Sequence, residues 1–388
     1  MLKNYDKYQT YAVWARRQIH MHPEIGFDID NTVKFISQEL DKLEIEYYTG
    51  IGRSSIVAIL GTKTDKPVIG FRADVDALEI EEMNDIEYKS KIQGRMHACG
   101  HDVHGAILLT LAKYLVEEKI EINGQLKFVF QAAEEGPTAG GELVCQDKLM
   151  DDVDVFLAFH VNPAIDAGKI GIKFGEFNAS CDDFSIKLIG KSGHAAYPHL
   201  SIDPIQMAVE VYNMIQSMKN RQLDQTQKAV ISVCVMEAGK AFNIIPDYAY
   251  LKGTVRTYNK EIKEKIKNQI EEIVRSVTNL HQGNYELEYR DGVIPTINTP
   301  EVCEILKEVV MDTIGVDNYL ELDTVSMGVD DFAYYVDKVK GAMMCLGTRN
   351  EEKNCIYPLH NSHFNVDEDV FILGVEVYLK AILQYMKW

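Results

Sequence analysis

No stretch of the 388-residue sequence approaches the roughly 18 consecutive apolar residues of a membrane-spanning helix. It also has no long basic run, and its formal charge is -19. Nucleic acids and anionic membranes need clustered Lys and Arg to displace counterions, so neither is expected as a partner. The seven cysteines, Cys99, Cys145, Cys181, Cys234, Cys303, Cys345 and Cys355, include no C-x-x-C pair. An odd, scattered set fits a reducing compartment better than a disulfide framework. The first stretch, "MLKNYDKYQTYAVWARRQIH", reads as an amphipathic helix without the apolar segment of a signal peptide. These absences together predict a soluble, cytoplasmic protein.

Several catalytic signatures are missing as well. The sequence holds no H-E-x-x-H, no H-x-E with P-C-x-x-C and no G-x-S-x-G, which argues against those metalloprotease, deaminase and serine-hydrolase patterns. "SIKLIGKS", residues 185 to 192, imitates the end of a P-loop, but Ser185 stands where the first glycine belongs and the intervening residues read as a strand.

What is present is an ordinary globular composition, 46% hydrophobic and 26% charged. The length allows two cores, because single cores rarely grow past roughly 250 to 300 residues. From residue 32 to about 175, helical periods such as "TVKFISQELDKL" and "HGAILLTLAKYLVEE" alternate with apolar strands such as "SSIVAILG", "KPVIGFRADVDAL", "GQLKFVFQAAEEG" and "VDVFLAFHV". That alternation predicts an α/β sheet covered by helices. The next stretch reads β-α-β-β-α-β, the order of a ferredoxin-like unit, and the α/β rhythm then resumes. The expectation is a mixed-sheet α/β catalytic domain from residues 1–178 and 292–388, with an inserted α+β domain at 179–291.

Polar clusters gather where the apolar strands end. "GFRADVDAL" carries Asp74 and Asp76, "FVFQAAEEG" carries Glu134 and Glu135, "VFLAFHV" carries His160, and the loop "YPLHNSHF" carries His360. Ligands in open α/β sheets bind beyond the carboxyl ends of the strands. Loops distant in sequence can therefore meet there with Cys99 and His101 of "MHACGHDVHG". Cys, His and Glu are suitable zinc or manganese ligands, and of two adjacent glutamates one can bind metal while the other accepts a proton. Taken singly, each feature has a plainer reading: a solvated strand end for Glu134-Glu135, a core histidine bonded to backbone for His160, a turn cap for Asp76.

The stretches "HMHPEIGF", "FRADVDAL", "MHACGHDVH", "FVFQAAEEG", "GKSGHAAYPH", "AFNIIPD", "GTVRT", "DDFAYY" and "LHNSHF", in this order from residue 20 to 364, resemble the aminoacylase and carboxypeptidase family of dinuclear metallohydrolases. The nearest branch is similar to amidohydrolases acting on hippurate, indole-acetyl amino acids and N-acetyl-diaminopimelate. The resemblance implies that Cys99, His101, Glu135, His160 and His360 hold two divalent metal ions (Zn, Mn, Ni or Co), with the Cys99 thiolate bridging them. It implies Glu134 as general base, His194 as the group that stabilises the oxyanion, Asn243 and Arg256 as substrate contacts, and Asp76 as support for a ligand. His97 and His104 are expected to be structural or to stand behind the ligands. In "GVDDF", Asp330 occupies a position where the family more often has Glu.

The insert is accordingly expected to act as a lid and dimerisation domain, in a homodimer or homotetramer. The expected activity is metal-dependent hydrolysis of a small-molecule N-acyl-L-amino acid to a carboxylate and a free amino acid. A dipeptidase or metallo-carboxypeptidase would use the same machinery, and a non-catalytic metal-binding regulatory protein is the alternative of another class.

Overall fold

In the computed structural model, which describes residues 2–224, 226–324 and 326–386, the chain divides into two units. The outer bounds of the expected catalytic domain, Met1 and Trp388, lie outside the described residues. Unit 1 spans Met1–Phe177, Ile297–Val325 and Asp330–Trp388; unit 2 spans Asn178–Thr296 and Ser326–Val329.

Unit 1 begins with helices α1 (Tyr5–His20) and α2 (Asp30–Lys42), then strands β1 (Glu46–Ile51), β2 (Ser55–Gly61) and β3 (Val68–Asp74). Helix α3 (His101–Glu117), strand β4 (Gln125–Gln131), short helix α4 (Gly140–Cys145) and strands β5 (Val155–Asp166), β6 (Ile170–Ile172) and β7 (Gly175–Asn178) follow. Next come β8 (Asp182–Ile189), β9 (Gly193–His194), α5 (Pro204–Arg221), β10 (Ala229–Ala238), β11 (Ile244–Ile245), β12 (Tyr248–Thr257), α6 (Lys260–Leu280) and β13 (Asn284–Arg290). The chain returns through β14 (Thr296–Asn298), α7 (Pro300–Ile314), β15 (Tyr319–Glu321), α8 (Ala333–Lys338), β16 (Lys340–Arg349) and α9 (Phe371–Met386).

Eight strands of unit 1 form one mixed sheet in the order β1-β2-β4-β3-β5-β16-β6-β15. Its centre, β4-β3-β5-β16, is parallel, whereas β1 with β2, β2 with β4 and β16 with β6 pair antiparallel. Every residue of β3 is buried, as a strand covered on both faces must be, and its sequence is accordingly an almost unbroken apolar run. Successive side chains point to opposite faces. Phe71 and Phe128 join the core under α1, α3 and α9, while Val68, Val129 and Phe156 join a second core with Phe332, Tyr335 and Met343.

Strand β4 lies on one side of β3 and β5 on the other. The chain thus reverses its direction of winding at β3, and a crevice opens beyond the strand ends at such a switch point. Two strands differ from expectation. The run "KPVIGFRADVDAL" leaves the sheet at Asp74, because Ala77 N–H turns to Glu24 O and Leu78 bridges to Met96. The strand of His160 continues to Asp166, held alongside β16 as far as the Arg349–Asp166 pair, so His160 sits within a strand and not at its end. Strand β1 escaped the sequence reading because most of its residues are exposed at the sheet edge and carry no apolar alternation.

In unit 2 the antiparallel sheet has the order β10-β12-β8-β13, and with α5 and α6 it completes a β-α-β-β-α-β arrangement. Alternate β8 residues Phe184, Ile186 and Leu188 are buried against Val211, Ile215, Ile270 and Val274 of the helices. Asp203 caps α5 by accepting from the Ile205 and Gln206 N–H groups, with Pro204 at the first helical position. Among the described residues no helix is long and apolar enough to cross a membrane.

Gly70 shows how closely the central strands approach. A Cβ at this position would lie 2.2 Å from the Phe156 ring on β5. Gly70→Ala should therefore destabilise unit 1 by about 1 to 3 kcal/mol, the usual cost of overpacking, read as a lowered urea midpoint. Adding Phe156→Leu should recover part of that loss, and an unshifted midpoint in the single variant would contradict the tight contact.

Candidate metal centre

The expected ligands arrive from four places in unit 1. Cys99 and His101 flank Gly100, which has φ 85° and whose Cβ would lie 2.3 Å from the Val161 side chain. Only glycine suits both conditions. His101 is the first residue of α3, so Cys99 sits just before a helix N-terminus, where the helix dipole favours negative charge.

Hydrogen bonds fix the orientation of buried His101 and of half-buried His160. His101 Nδ1 lies 3.0 Å from Asp76 O and 3.3 Å from Asp76 Oδ1. With Nδ1 held there, Nε2 is buried with no hydrogen-bond partner, and although burial opposes its charge, the Asp74 carboxylate holds the imidazole well above its ordinary range. Asp74 Oδ2, Glu134 Oε2 and Glu135 Oε1 stand 3.5, 3.8 and 4.0 Å from Nε2. His160 Nδ1 donates to Val161 O at 2.8 Å, leaving Nε2 3.7 Å from Cys99 Sγ.

The glutamates follow β4 after Ala133, a non-glycine residue at φ 57°, and such left-handed strain is characteristically stored at functional sites. Asp76 holds this turn: its two carboxylate oxygens accept the Glu134 N–H at 3.2 Å and the Glu135 N–H at 3.1 Å. His360, at φ 63°, donates its N–H to Ala98 O at 2.8 Å, and its Nε2 lies 3.1 Å from Glu135 Oε1. The structure therefore brings Cys99, His101, Glu134, Glu135, His160 and His360 together.

They form overlapping groups in which ligand atoms lie within 4.8 Å of one another: Cys99-His101-His160, Cys99-Glu135-His360 and His101-Glu134-Glu135. Cys99 belongs to the first two, the position a bridging ligand needs. A donor set of thiol, imidazole and carboxylate, with one imidazole nitrogen orphaned and aimed inward, fits divalent metal ions.

Electrostatics separates the two glutamates. Burial, and after it the Asp330 carboxylate, pushes the Glu134 carboxyl well above its ordinary range. Burial also opposes charge on Glu135, yet the His360 hydrogen bond and the His101 charge hold it below the ordinary range. Burial pushes the His160 imidazole down to about 4, so this ring is neutral and able to ligate near pH 7. Burial likewise raises the Cys99 thiol, a cost that a coordinating metal reverses by taking the thiolate.

Other residues frame the cluster. Arg72 is fully buried, and its guanidinium reaches Gln131, Asp74 and Asp331 at 2.9, 2.7 and 2.7 Å and Asp330 at 3.2 Å. Asp331 also accepts from the Gly141 N–H at 2.7 Å. Asp330, the shorter replacement, falls within 4.8 Å of Glu134 and Asp331. His104 pairs with Asp74 and accepts the Val161 N–H at 3.0 Å, which ties the strand beside His160. His97 is buried with both ring nitrogens unpartnered and belongs to none of these clusters. The sequence reading missed Arg72 and Asp331, although an arginine inside the apolar run "VIGFRAD" was a usable signal.

The remaining expected residues belong to unit 2. His194 is exposed on β9, paired with Ile244 of β11, and Ala195 N–H donates to Asn243 O at 3.1 Å. This brings His194 and Asn243 close together. The His194 Nδ1 accepts the Ala196 N–H at 3.1 Å, which leaves Nε2 as the protonated, donating nitrogen. Arg256, on β12, donates through Nη1 to Met327 O at 2.9 Å.

Residues 70–384 match the model of peptidase family M20/M25/M40. The chain is 38% identical over 370 residues to thermostable carboxypeptidase 1 of Saccharolobus solfataricus, covering 94% of this chain and 93% of that protein. It is 38% identical over 299 residues to an N-acyl-L-amino acid amidohydrolase of Geobacillus stearothermophilus, covering 76% and 80%. Among solved structures, Bacillus subtilis YxeP, described as a dinuclear metal-binding peptidase of the M20 family, superposes with a TM-score of 0.83. That match has 28% identity and covers 98% of this chain and 99% of the other.

Asp76 supports His101 and both glutamates without belonging to a ligand group itself. In Asp76→Asn one acceptor becomes a donor facing a backbone N–H. Metal retention against graded chelator should then fall about 10- to 100-fold, the usual effect of disturbing a group behind the ligands. Retention equal to the parent's would remove Asp76 from that role.

Proposed function

The chain belongs to peptidase family M20/M25/M40 and is a metal-dependent hydrolase of amide bonds, and on that premise we propose that it cleaves N-acyl-L-amino acids into a carboxylate and a free amino acid. The observation that carries this reading is the pair of ligand groups sharing Cys99 with Glu134 beside them. Cys99, His101 and His160 would hold one divalent ion, Zn, Mn, Ni or Co, and Cys99, Glu135 and His360 the other. When bound, such ions polarise the amide carbonyl and make water a stronger acid.

The chain's own groups do the rest. Glu134 accepts the proton of the attacking water and delivers it to the departing amine. His194 presents Nε2–H, the tautomer set by its Nδ1 contact, to the oxyanion of the tetrahedral intermediate. Arg72 is fully buried and its charge is met by Asp74, Asp331 and Asp330, so it is not offered to an anionic substrate. Arg256 takes that part: one nitrogen is spent on Met327 O, and a guanidinium has donors left for a carboxylate. Asn243 adds a polar contact. Cleavage of a C-terminal residue from a peptide is the second reading, favoured by the similarity to the carboxypeptidase.

Unit 2 serves as lid and dimerisation domain. Supporting the dimerisation role are its edge strand β10 and the exposed Phe242, Ile244, Met236 and Tyr248, an apolar surface that a second copy would cover in a homodimer or homotetramer.

The substrate reading is tested with metal-loaded protein on N-acetyl and N-benzoyl amino acids beside dipeptides. The acyl amino acids should turn over faster, and faster dipeptide cleavage would transfer the assignment to the second reading. Within the same assay, Arg256→Ala should cost about 2 to 5 kcal/mol in kcat/KM for the free acid. The corresponding methyl ester should be a poor substrate for the parent and should lose little further on the substitution. Equal losses would restrict Arg256 to holding Met327.

The roles of the glutamates separate by metal analysis. Glu134→Gln should keep its metal and lose turnover by about 10² to 10⁴, whereas Glu135→Gln should also lose metal. Equal metal loss in the two variants would break the assignment.

A further inference from the structure

Unit 1 buries a second polar network that the proposed chemistry does not use. Arg16 and His20, about one turn apart on α1, are fully buried, as are Asp102 and, nearly so, Glu82. Arg16 Nε donates to Asp102 Oδ2 at 2.6 Å, and His20 Nδ1 lies 2.7 Å from the same oxygen. The other His20 nitrogen is 3.2 Å from Glu82 Oε1. Asn84 Nδ2 donates both to Glu82 Oε1 at 3.1 Å and to Phe364 O at 3.0 Å. Beside it, Met83 N–H donates to Ser362 O at 2.9 Å. Arg16 also reaches Asn365 Oδ1 at 3.3 Å and Glu368 Oε1 at 3.2 Å.

The two ends of this chain of contacts are informative. Asp102 directly follows His101, and Phe364 lies in the loop that carries His360. His101 and His360 share no ligand group: His101 falls with Cys99 and His160 and with the two glutamates, whereas His360 falls with Cys99 and Glu135. Buried ion pairs contribute little net stability compared with apolar packing, whereas their directional bonds set geometry. A small displacement of one ligand loop against the other would open one group and leave the other intact.

We propose that Arg16, His20, Glu82, Asn84 and Asp102 are positioning residues that set the His360 loop against the start of α3, and thereby determine how tightly the second ion is held. The proposal rests on the metal-ligand reading given above.

The test uses the full chain, depleted of metal and reloaded with Co²⁺. It follows the visible spectrum and retention under graded chelator, with no activity measurement. His20→Ala should weaken the more loosely held ion about 10- to 100-fold. Asn84→Ala, a milder change that removes the links to Glu82 and Phe364, should act on the same ion if His20→Ala fails to fold. Val310→Ala, a cavity in α7, serves as a control for destabilisation, and His101→Ala and His360→Ala as controls for the ligands. Selective loss of one ion in the network variants, with both ions kept in Val310→Ala at a comparable drop in Tm, supports the proposal. Parental retention in Asn84→Ala, or equal loss in Val310→Ala, overturns it. If His101→Ala and His360→Ala hold both ions as the parent does, the ligand reading itself fails.

Discussion

One buried cation organises the negative charge of the centre. Arg72 stands inside the central strand, fully buried, and binds Asp74, Asp331 and Gln131 at once. A guanidinium is the side chain best suited to this, because its planar fork supplies five donors in fixed directions. Through Asp331 it joins the segment before α8 to β3 and β4, and through Asp74 it reaches His104. Isolated carboxylates could not remain ionised at such depth. Asp330 stands beside this cation as well and Glu134 acts on it, and such crowded carboxylates make an environment that suits divalent ions.

The supporting groups are arranged so that ligands need little reorganisation. Asp76 accepts from the backbone of both glutamates and lies against His101 Nδ1, while the Val161 carbonyl holds the His160 ring and the Ala98 carbonyl holds the His360 backbone. Each histidine tied through Nδ1 is left with Nε2 for other use, and this is how tautomer and ring orientation are set at metal sites. The strained backbone falls at His360, itself an expected ligand, and at Ala133, just before Glu134 and Glu135. The surrounding hydrogen bonds stabilise both conformations against about 1 to 3 kcal/mol of local strain each.

Much of this was legible in the sequence. The apolar runs identified the central strands, the β-α-β-β-α-β order identified the arrangement of unit 2, and the polar residues after β3 and β4 marked the edge where ligands collect. Elements without apolar alternation were not legible, β1 among them, because an edge strand with exposed side chains has no burial to record. The length of β5 was also hidden, since its continuation depends on β16, nearly two hundred positions later.

The sequence alone determined which chemical groups were available and in what order: a thiol and an imidazole around Gly100, adjacent glutamates, and isolated histidines at 160 and 360. Local hydrophobic periodicity carries that information because it needs only near neighbours. Tertiary structure decided which groups share an atom-scale neighbourhood and which nitrogen of each histidine is free. It also placed Arg72, Asp331, His20 and Asp102, each of which looks in the sequence like an ordinary charged residue. Their partners come from distant segments, and burial turns those pairings from weak surface contacts into strict requirements, since a buried charge without its partner is too costly to keep.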